Sequence, residues 1–367
     1  SSIGNNASSI KSYIQTFYNQ NDLAFVLLVG DSAQVATPIT GGYAADPTYG
    51  LLAGSDHYPD AMIGRFSATT TAHVDTQVTR TIEFEQGIHG GDWQWKGIGI
   101  ASTEGPGHYG EYDHEHMGYI RNDLIGFGYT QVDEYYGYSA SATQVSNSLN
   151  AGRGIINYCG HGSTTSWGTT GFSNTNINNL TNDNQLPFIT SVACVNGQFN
   201  TTTCFGEAWL RATNGNEPTG AVGFFGSSQN QSWDPPMEGQ DEIIDRYIDY
   251  TYDCYGTLCF AGSCRMLEVY PSYDEELDHW HVFGDPSLRL RGDGSGGPPS
   301  VDIKINGQDD PPSTPQGGYV EVTISLDPRG EEGVKYDWWI WTQRNSMNMW
   351  WYDHPQTWLK SNSPMRA

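Results

Sequence analysis

Short apolar runs, each ending in a small polar loop and alternating with stretches of helical spacing, constrain this chain more than any other feature. Ala24–Val29 stops at Gly30-Asp31, and Ala61–Ile63 leads into Gly64-Arg65-Phe66. Residues 97–102 (GIGIAS) enter a glycine-rich acidic loop, Gly154–Tyr158 ends in Cys159-Gly160-His161-Gly162, Leu186–Ala193 ends at Cys194, and Gly220–Gly226 is a further run. Residues 11–19, 72–86, 113–126, 141–151 and 205–212 read as the intervening helices. Apolar runs of this length are strands buried on both faces. Strands alternating with helices predict an α/β fold with a mostly parallel sheet flanked by helices. Ligands of such sheets gather beyond the carboxyl ends of the strands, so Asp31, Glu104, His161 and Cys194 are expected on one edge.

The pattern breaks at residues 291–299 (RGDGSGGPP), a linker by composition. Beyond it VDIKI, YVEVTISL and KYDWWIWT alternate in the manner of antiparallel strands. Residues 300–367 are therefore expected to form a short immunoglobulin-like β-sandwich module, reduced or incomplete beside the ~100 residues usual for one. Ahead of the linker, 1–92 is read as an N-terminal α/β subdomain and 93–290 as the catalytic α/β subdomain.

The chain carries 42 Asp and Glu against 17 Lys and Arg, a net charge of −25. That field repels nucleic acid and anionic membranes, and favours metal ions or substrates bearing Arg or Lys. No apolar run approaches the ~18 residues of a membrane span, so no membrane insertion is expected. A first residue of Ser without Met or a signal sequence is read as a processed, secreted or cell-surface form. The six cysteines include no CxxC pair, which argues against a four-cysteine zinc site. Cys254 and Cys259 are near enough in sequence to pair.

His161 sits between glycines at a strand end, where its ring is free to reach a partner and the Gly162 backbone is open to close approach. Cys194 ends another apolar strand, followed by the small, polar VNG. Taken singly, a turn histidine and a buried cysteine are ordinary structural residues. Together, at equivalent strand ends, they supply what Cys–His catalysis needs: a thiolate nucleophile, an imidazole that carries the proton, and backbone N–H groups for the oxyanion.

GHGS…W (160–167), NQLPFITSVACVNGQF (184–199), NQSWDPPMEGQDE (230–242) and VFGDPSL (282–288) resemble the gingipain-type cysteine peptidases. LLVGD (27–31), YGLLAGSDHYPDAMIGRFS (49–67) and TQVTRTIEFE (76–85) agree in order and spacing. The resemblance implies a caspase-like α/β fold and cleavage of protein or peptide substrates after a basic residue, Arg ahead of Lys. It places the nucleophile at Cys194, the base at His161, the oxyanion N–H groups at Gly162 and Cys194, and the acid behind the histidine at Glu104. Asp113 becomes the carboxylate that recognises the basic side chain, Trp233 its cover and Met237 its apolar lining. Cys159 stands where Arg-specific members have Thr, and Asp234 is a second acid that would shift preference toward Lys.

The same resemblance implies structural Ca²⁺ and no organic cofactor. Asp31 would bind one ion with Asp245. The Ala53 and Tyr58 carbonyls with Asp56 and Asp60 would bind a second. Glu111, His116, the Phe199 carbonyl and Glu207 would bind a third, and Asp241 with Glu242 a fourth; oxygen-rich sets of this kind suit Ca²⁺. Attachment to the cell surface would run through a C-terminal region. Two rival readings differ in class. One is a catalytically inactive gingipain-like domain serving as an adhesin or structural protein. The other is a zinc hydrolase on His114 and His116, for which no third ligand follows at metalloprotease spacing.

Overall fold

A computed structural model describes residues 3–290 and, beyond them, the strands Ser300–Ile305, Val322–Asp327, Ile340–Arg344, Met347–His354 and Thr357–Ser361. The chain divides into two compact units, Ser1–Asp293 and Gly294–Ala367.

The first unit is built on one eight-stranded sheet. Its strands are β1 (Phe25–Val29), β2 (Met62–Phe66), β3 (Lys96–Ala101), β4 (Gln131–Tyr136), β5 (Ile155–Cys159), β6 (Phe188–Val192), β7 (Gly223–Ser227) and β8 (Trp280–Phe283). Their order across the sheet is β1-β2-β8-β7-β6-β5-β3-β4. Every neighbouring pair is parallel except β7 with β8. The central strands are apolar on both sides because both faces are covered: Phe188 and Ile155 enter one core, their neighbours Ile189 and Ile156 the other.

Seven helices longer than a single turn flank the sheet among the described residues: α1 (Ala7–Tyr18), α2 (Thr71–Glu85), α3 (Asp113–Phe127), α4 (Ala142–Asn150), α5 (Phe205–Arg211), α6 (Asp234–Ile248) and α7 (Tyr255–Val269). One face is packed by α3, α6 and α7 through Met117, Leu124, Ile243 and Met266. The opposite face takes α4 and α5 through Val145, Leu149 and Trp209. Helix starts follow their caps: the Asn6, Thr70 and Ser141 side chains accept the N–H groups of Ser9, His73 and Gln144.

Three expectations change. Strand β2 runs on through Gly64-Arg65-Phe66. Arg65 tolerates burial because Asp46 receives its Nε and Nη2 at 2.6 and 2.8 Å, while the Gly30 and Val35 carbonyls receive Nη1. The antiparallel β7–β8 contact also gives the sheet two carboxyl edges. Strands β3, β5 and β6 deliver Glu104, His161 and Cys194 to one, whereas β1 delivers Asp31 to the other. Asp31 therefore stands apart from the other three. Lastly, all six cysteines are free thiols. Cys254 caps α7 and Cys259 lies buried inside it, so the two point away from one another.

In the second unit, Ser300–Ile305 pairs antiparallel with Val322–Asp327, and Ile340–Arg344, Met347–His354 and Thr357–Ser361 form a three-stranded antiparallel sheet. The linker 291–299 and the segments that would complete an immunoglobulin-like module lie outside the described residues. No helix among the described residues is long and apolar enough to cross a membrane.

Candidate active site

Cys194 leaves the end of β6 on a strained turn. Val195 holds φ at +51°, a left-handed conformation that a β-branched residue adopts only under constraint. The constraint is visible on both sides: Val195 N–H donates to Gln229 O at 2.9 Å, and Asn196, fully buried, accepts Ser191 Oγ and donates to the Ser163 and Ser166 carbonyls. Asn196 thereby ties the cysteine turn to the turn that carries His161. At Gly162 an added Cβ would come within 2.8 Å of both Ala193 Cβ and Cys194 O, so only glycine lets these two main chains approach.

His161 is held by its backbone. Its carbonyl accepts Tyr158 Oη at 2.5 Å and Gly168 N–H at 2.7 Å, and the Tyr158 ring stacks on buried Trp167. The imidazole Nε2 meets Glu104 Oε2 at 2.8 Å, with both side chains more than half exposed. This engagement leaves Nδ1 for the thiol. His161 and Cys194 line a single narrow cavity, with Cys159, Gln231, Ser232 and Trp233 also in its wall. Cys194 Sγ accepts the Gln231 N–H at 3.4 Å, and the Gln231 carbonyl oxygen is 3.9 Å away. Gln231 is fixed in turn by Trp280 Nε1 on its Oε1 and by its own Nε2 on Ser227 Oγ.

Asp113, the first residue of α3, is wholly enclosed behind this cavity. Ser102 Oγ donates to its Oδ2 at 2.5 Å, and Trp233 Nε1 donates to its Oδ1. Burial, followed by the Asp113 charge, pushes the Cys159 thiol well above its ordinary range, so it remains a neutral wall group. Met237 is buried beside Trp233, close to Gly107. Ser102 also accepts the Glu104 N–H at 2.9 Å, and Asp113 N–H donates to Glu104 O at 3.0 Å. The two acids are thus parts of one hydrogen-bonded ring. Ser102, Asn196 and Gln231 escape sequence reasoning because small and amide residues in loops carry no signal of their partners.

The expected calcium ligands separate differently. Asp31 pairs with Arg211 of α5, on the face opposite α6, so it does not meet Asp245. Glu207, also on α5, is saturated by Ser67 Oγ, Arg211 and Cys204 N–H, while the Phe199 ring packs over Arg65. Neither reaches Glu111 and His116, which belong to the α3 face. Glu242 turns to Arg246, but Asp241 joins the α3 group: His116 Nδ1, fully buried and without a hydrogen bond, lies 3.5 Å from both Glu111 and Asp241. Glu111, Asp241 and Asp245 share a cleft of about 740 Å³. Burial first, and then neighbouring acids, push Asp241 up to about 7. In the loop of residues 53–60, Asp60 receives the Leu52 and Ala53 N–H groups at 2.7 Å and Asp56 receives that of Tyr58. His114 and His116 stand two apart on α3 and project to different sides, which removes the zinc pair. Among the described residues no group of three His, Cys, Asp or Glu is already arranged to hold a metal ion.

A thiol and a carboxylate-braced imidazole at one carboxyl edge of a mostly parallel sheet define the framework of a cysteine peptidase. Residues 1–291 match peptidase family C25, and the chain belongs to that family. Gingipain R2 of Porphyromonas gingivalis is 40% identical over 296 residues, covering 78% of this chain and 40% of that protein. Lys-gingipain of the same organism is 25% identical over 339 residues, covering 78% of this chain and 18% of that protein. The chain thus spans two fifths or less of these relatives. The crystal structure of the Arg-specific cysteine proteinase gingipain R superposes with a TM-score of 0.76 at 38% identity, over 81% of this chain and 71% of that one.

Proposed function

We propose that this chain is a cysteine endopeptidase that cleaves after a basic residue, Arg ahead of Lys. The observation that carries the reading is His161 braced by Glu104 at 2.8 Å on the cavity that also holds the Cys194 thiol. His161 takes the thiol proton, and the thiolate attacks the carbonyl carbon. The Gly162 and Cys194 N–H groups receive the oxyanion. The imidazolium then protonates the departing amine, leaving a thioester on Cys194; water, deprotonated by His161, releases the acid. Glu104 orients the ring and offsets its charge while it carries the proton.

The basic side chain enters beside Trp233 to reach Asp113, with Met237 and Cys159 as lining. A guanidinium there takes the Asp113 oxygen that now accepts the indole N–H, so Trp233 must move aside. The names of the relatives, an Arg-specific gingipain R structure at 38% identity and a Lys-gingipain at 25%, favour Arg. Labelling by a peptidyl-Arg chloromethylketone that Cys194→Ala abolishes is the expected result. A native protein that neither reacts nor cleaves peptidyl-Arg substrates sinks the proposal.

Structural Ca²⁺ belongs to the same reading, at two places. Glu111, Asp241 and Asp245 with His116 Nδ1 would hold one ion, and Asp56, Asp60 and the Ala53 and Tyr58 carbonyls another; the ion would fix loops rather than enter the reaction. Secretion or cell-surface display, and an immunoglobulin-like character for the antiparallel strands of the second unit, complete the proposal. Fractionation of the producing cells tests the first, and a structure of the isolated second unit the other.

A further inference from the structure

A second cleft, of about 580 Å³, opens on the other side of His161, with Thr103, Glu104, Tyr138, Gly168 and Thr169 in its wall. It shares only His161 with the cavity of the thiol. The peptidase chemistry proposed above, on which this inference rests, decides which half of a substrate lies there. The amine expelled from the tetrahedral intermediate takes its proton from the imidazole, so the scissile nitrogen sits on the His161 side of Cys194. The basic side chain before the scissile bond occupies the Trp233–Asp113 side. A peptide continuing past His161 therefore runs into the second cleft. We propose that this cleft is the subsite for the residue following the scissile bond, and that it takes basic side chains and rejects acidic ones.

The walls are built for occupation. Gly168 lines the cleft where an added Cβ would lie 2.9 Å from the His161 carbonyl oxygen, so a side chain there would press on the catalytic turn. Gly137 holds φ at +60°, with its Cβ position 2.7 Å from Thr103 Cγ2, which seats the turn against the acid loop. The next residue, Tyr138, stands fully exposed at the rim with no hydrogen bond or ring contact for its side chain. Glu104 gives Oε2 to His161, and its Oε1 accepts no hydrogen bond among the described residues. A cation from the substrate finds there a carboxylate oxygen and an aromatic face, whereas an acid meets like charge. With the carboxylate about half exposed, a unit charge ~6 Å away changes binding about threefold in either direction. Lys and Glu at this position should therefore differ about tenfold.

The test uses the native protein and quenched fluorescent peptides that share one sequence ending in Arg and vary only the next residue: Lys, Ala or Glu. A peptidyl-Arg aminomethylcoumarin, which has no amino acid there, is run beside them. The expected order of kcat/KM is Lys above Ala above Glu, spanning about tenfold and narrowing with added salt. In Tyr138→Ala, which leaves the Glu104 charge in place, the Lys-to-Ala ratio should fall about twofold, and Tyr138→Phe should restore it. Cleavage of the coumarin with peptide rates equal within twofold overturns the subsite and leaves the peptidase reading standing. Selectivity that Tyr138→Ala does not alter overturns the assignment to this cleft. Hydrolysis of neither substrate class overturns the peptidase reading and the subsite with it.

Discussion

Asp113→Asn removes one charge and little else. The amide oxygen still accepts the Trp233 indole N–H, and the new N–H group donates to Ser102 Oγ in place of accepting from it. What disappears is the partner for a cationic side chain. Because Asp113 is wholly enclosed, screening by water is weak, and a cation ~4 Å away at an effective dielectric of about 20 gains about 4 kcal/mol. Displacing the indole N–H returns about 1 kcal/mol of that. The remainder, about 3 kcal/mol, corresponds to a loss of about 10²-fold in kcat/KM. The assay compares peptidyl-Arg and peptidyl-Lys amides, with the rate of iodoacetamide alkylation reporting on the thiol by a route that needs no basic side chain. Both substrates should fall about hundredfold while alkylation changes less than threefold. Retention of Arg cleavage within threefold refutes the role of Asp113. Parallel loss of alkylation shows instead that the acid supports the cysteine turn.

Glu104→Gln should cost only about tenfold in kcat/KM, far less than a buried orienting acid would, because the Glu104–His161 pair is more than half exposed; steady-state kinetics on a peptidyl-Arg amide measures it. Ser102→Ala leaves Asp113 Oδ2 and the Glu104 N–H each one bond short; a fall of about 30-fold on Arg substrates, recovered in Ser102→Thr, corresponds to about 2 kcal/mol. Burial pushes His281 down to about 4, so between pH ~6.5 and 4 the unfolded chain binds a proton that the folded one refuses, and stability falls on acidification by up to about 3 kcal/mol. Denaturant titrations should show the difference in unfolding free energy between native protein and His281→Gln shifting against the native protein by that amount from pH 7 to 4. Saturating Ca²⁺ at ~100 times its Kd should add about 2.7 kcal/mol, and Asp241→Asn should reduce the increment; identical melting curves in Ca²⁺ and in chelator would argue against both ion sites.

The strands that carry Glu104, His161 and Cys194 are legible because a strand buried on two faces is mostly apolar, with Asn157, Thr190 and Ser191 the small polar exceptions, and the break to Gly, Cys or Ser marks its carboxyl end. Helices α6 and α7 are not. The first opens on Asp234-Pro235-Pro236, which reads as a loop although proline is well suited to a helix start. The second interleaves Gly256, Gly262 and Ser263 with its apolar residues because Gly262 lies against Gly239 of α6 with no room for a side chain. Edge strand β4, QVDEYY, is half polar since only Val132 points fully into the core. The misplacement of Asp31 and the mixed calcium sets share one cause. Alternation predicts strands and helices, but neither the reversal of direction at β8 nor the face on which a helix packs is written in a local pattern.

The reversal at β8 has a consequence for how the molecule comes into being. Strands β1 and β2 join the rest of the sheet only through β8, where Gly64 pairs with Val282. Closure therefore waits on a contact between segments some 220 residues apart, of the kind that makes folding slow. The same late strand begins with Trp280, whose indole holds Gln231 over the thiol. During synthesis the first two strands emerge long before their central partner exists. The cleft loop gains its final support in the step that unites the two halves of the sheet, so a nascent chain has no finished candidate site until nearly all of the first unit has been made.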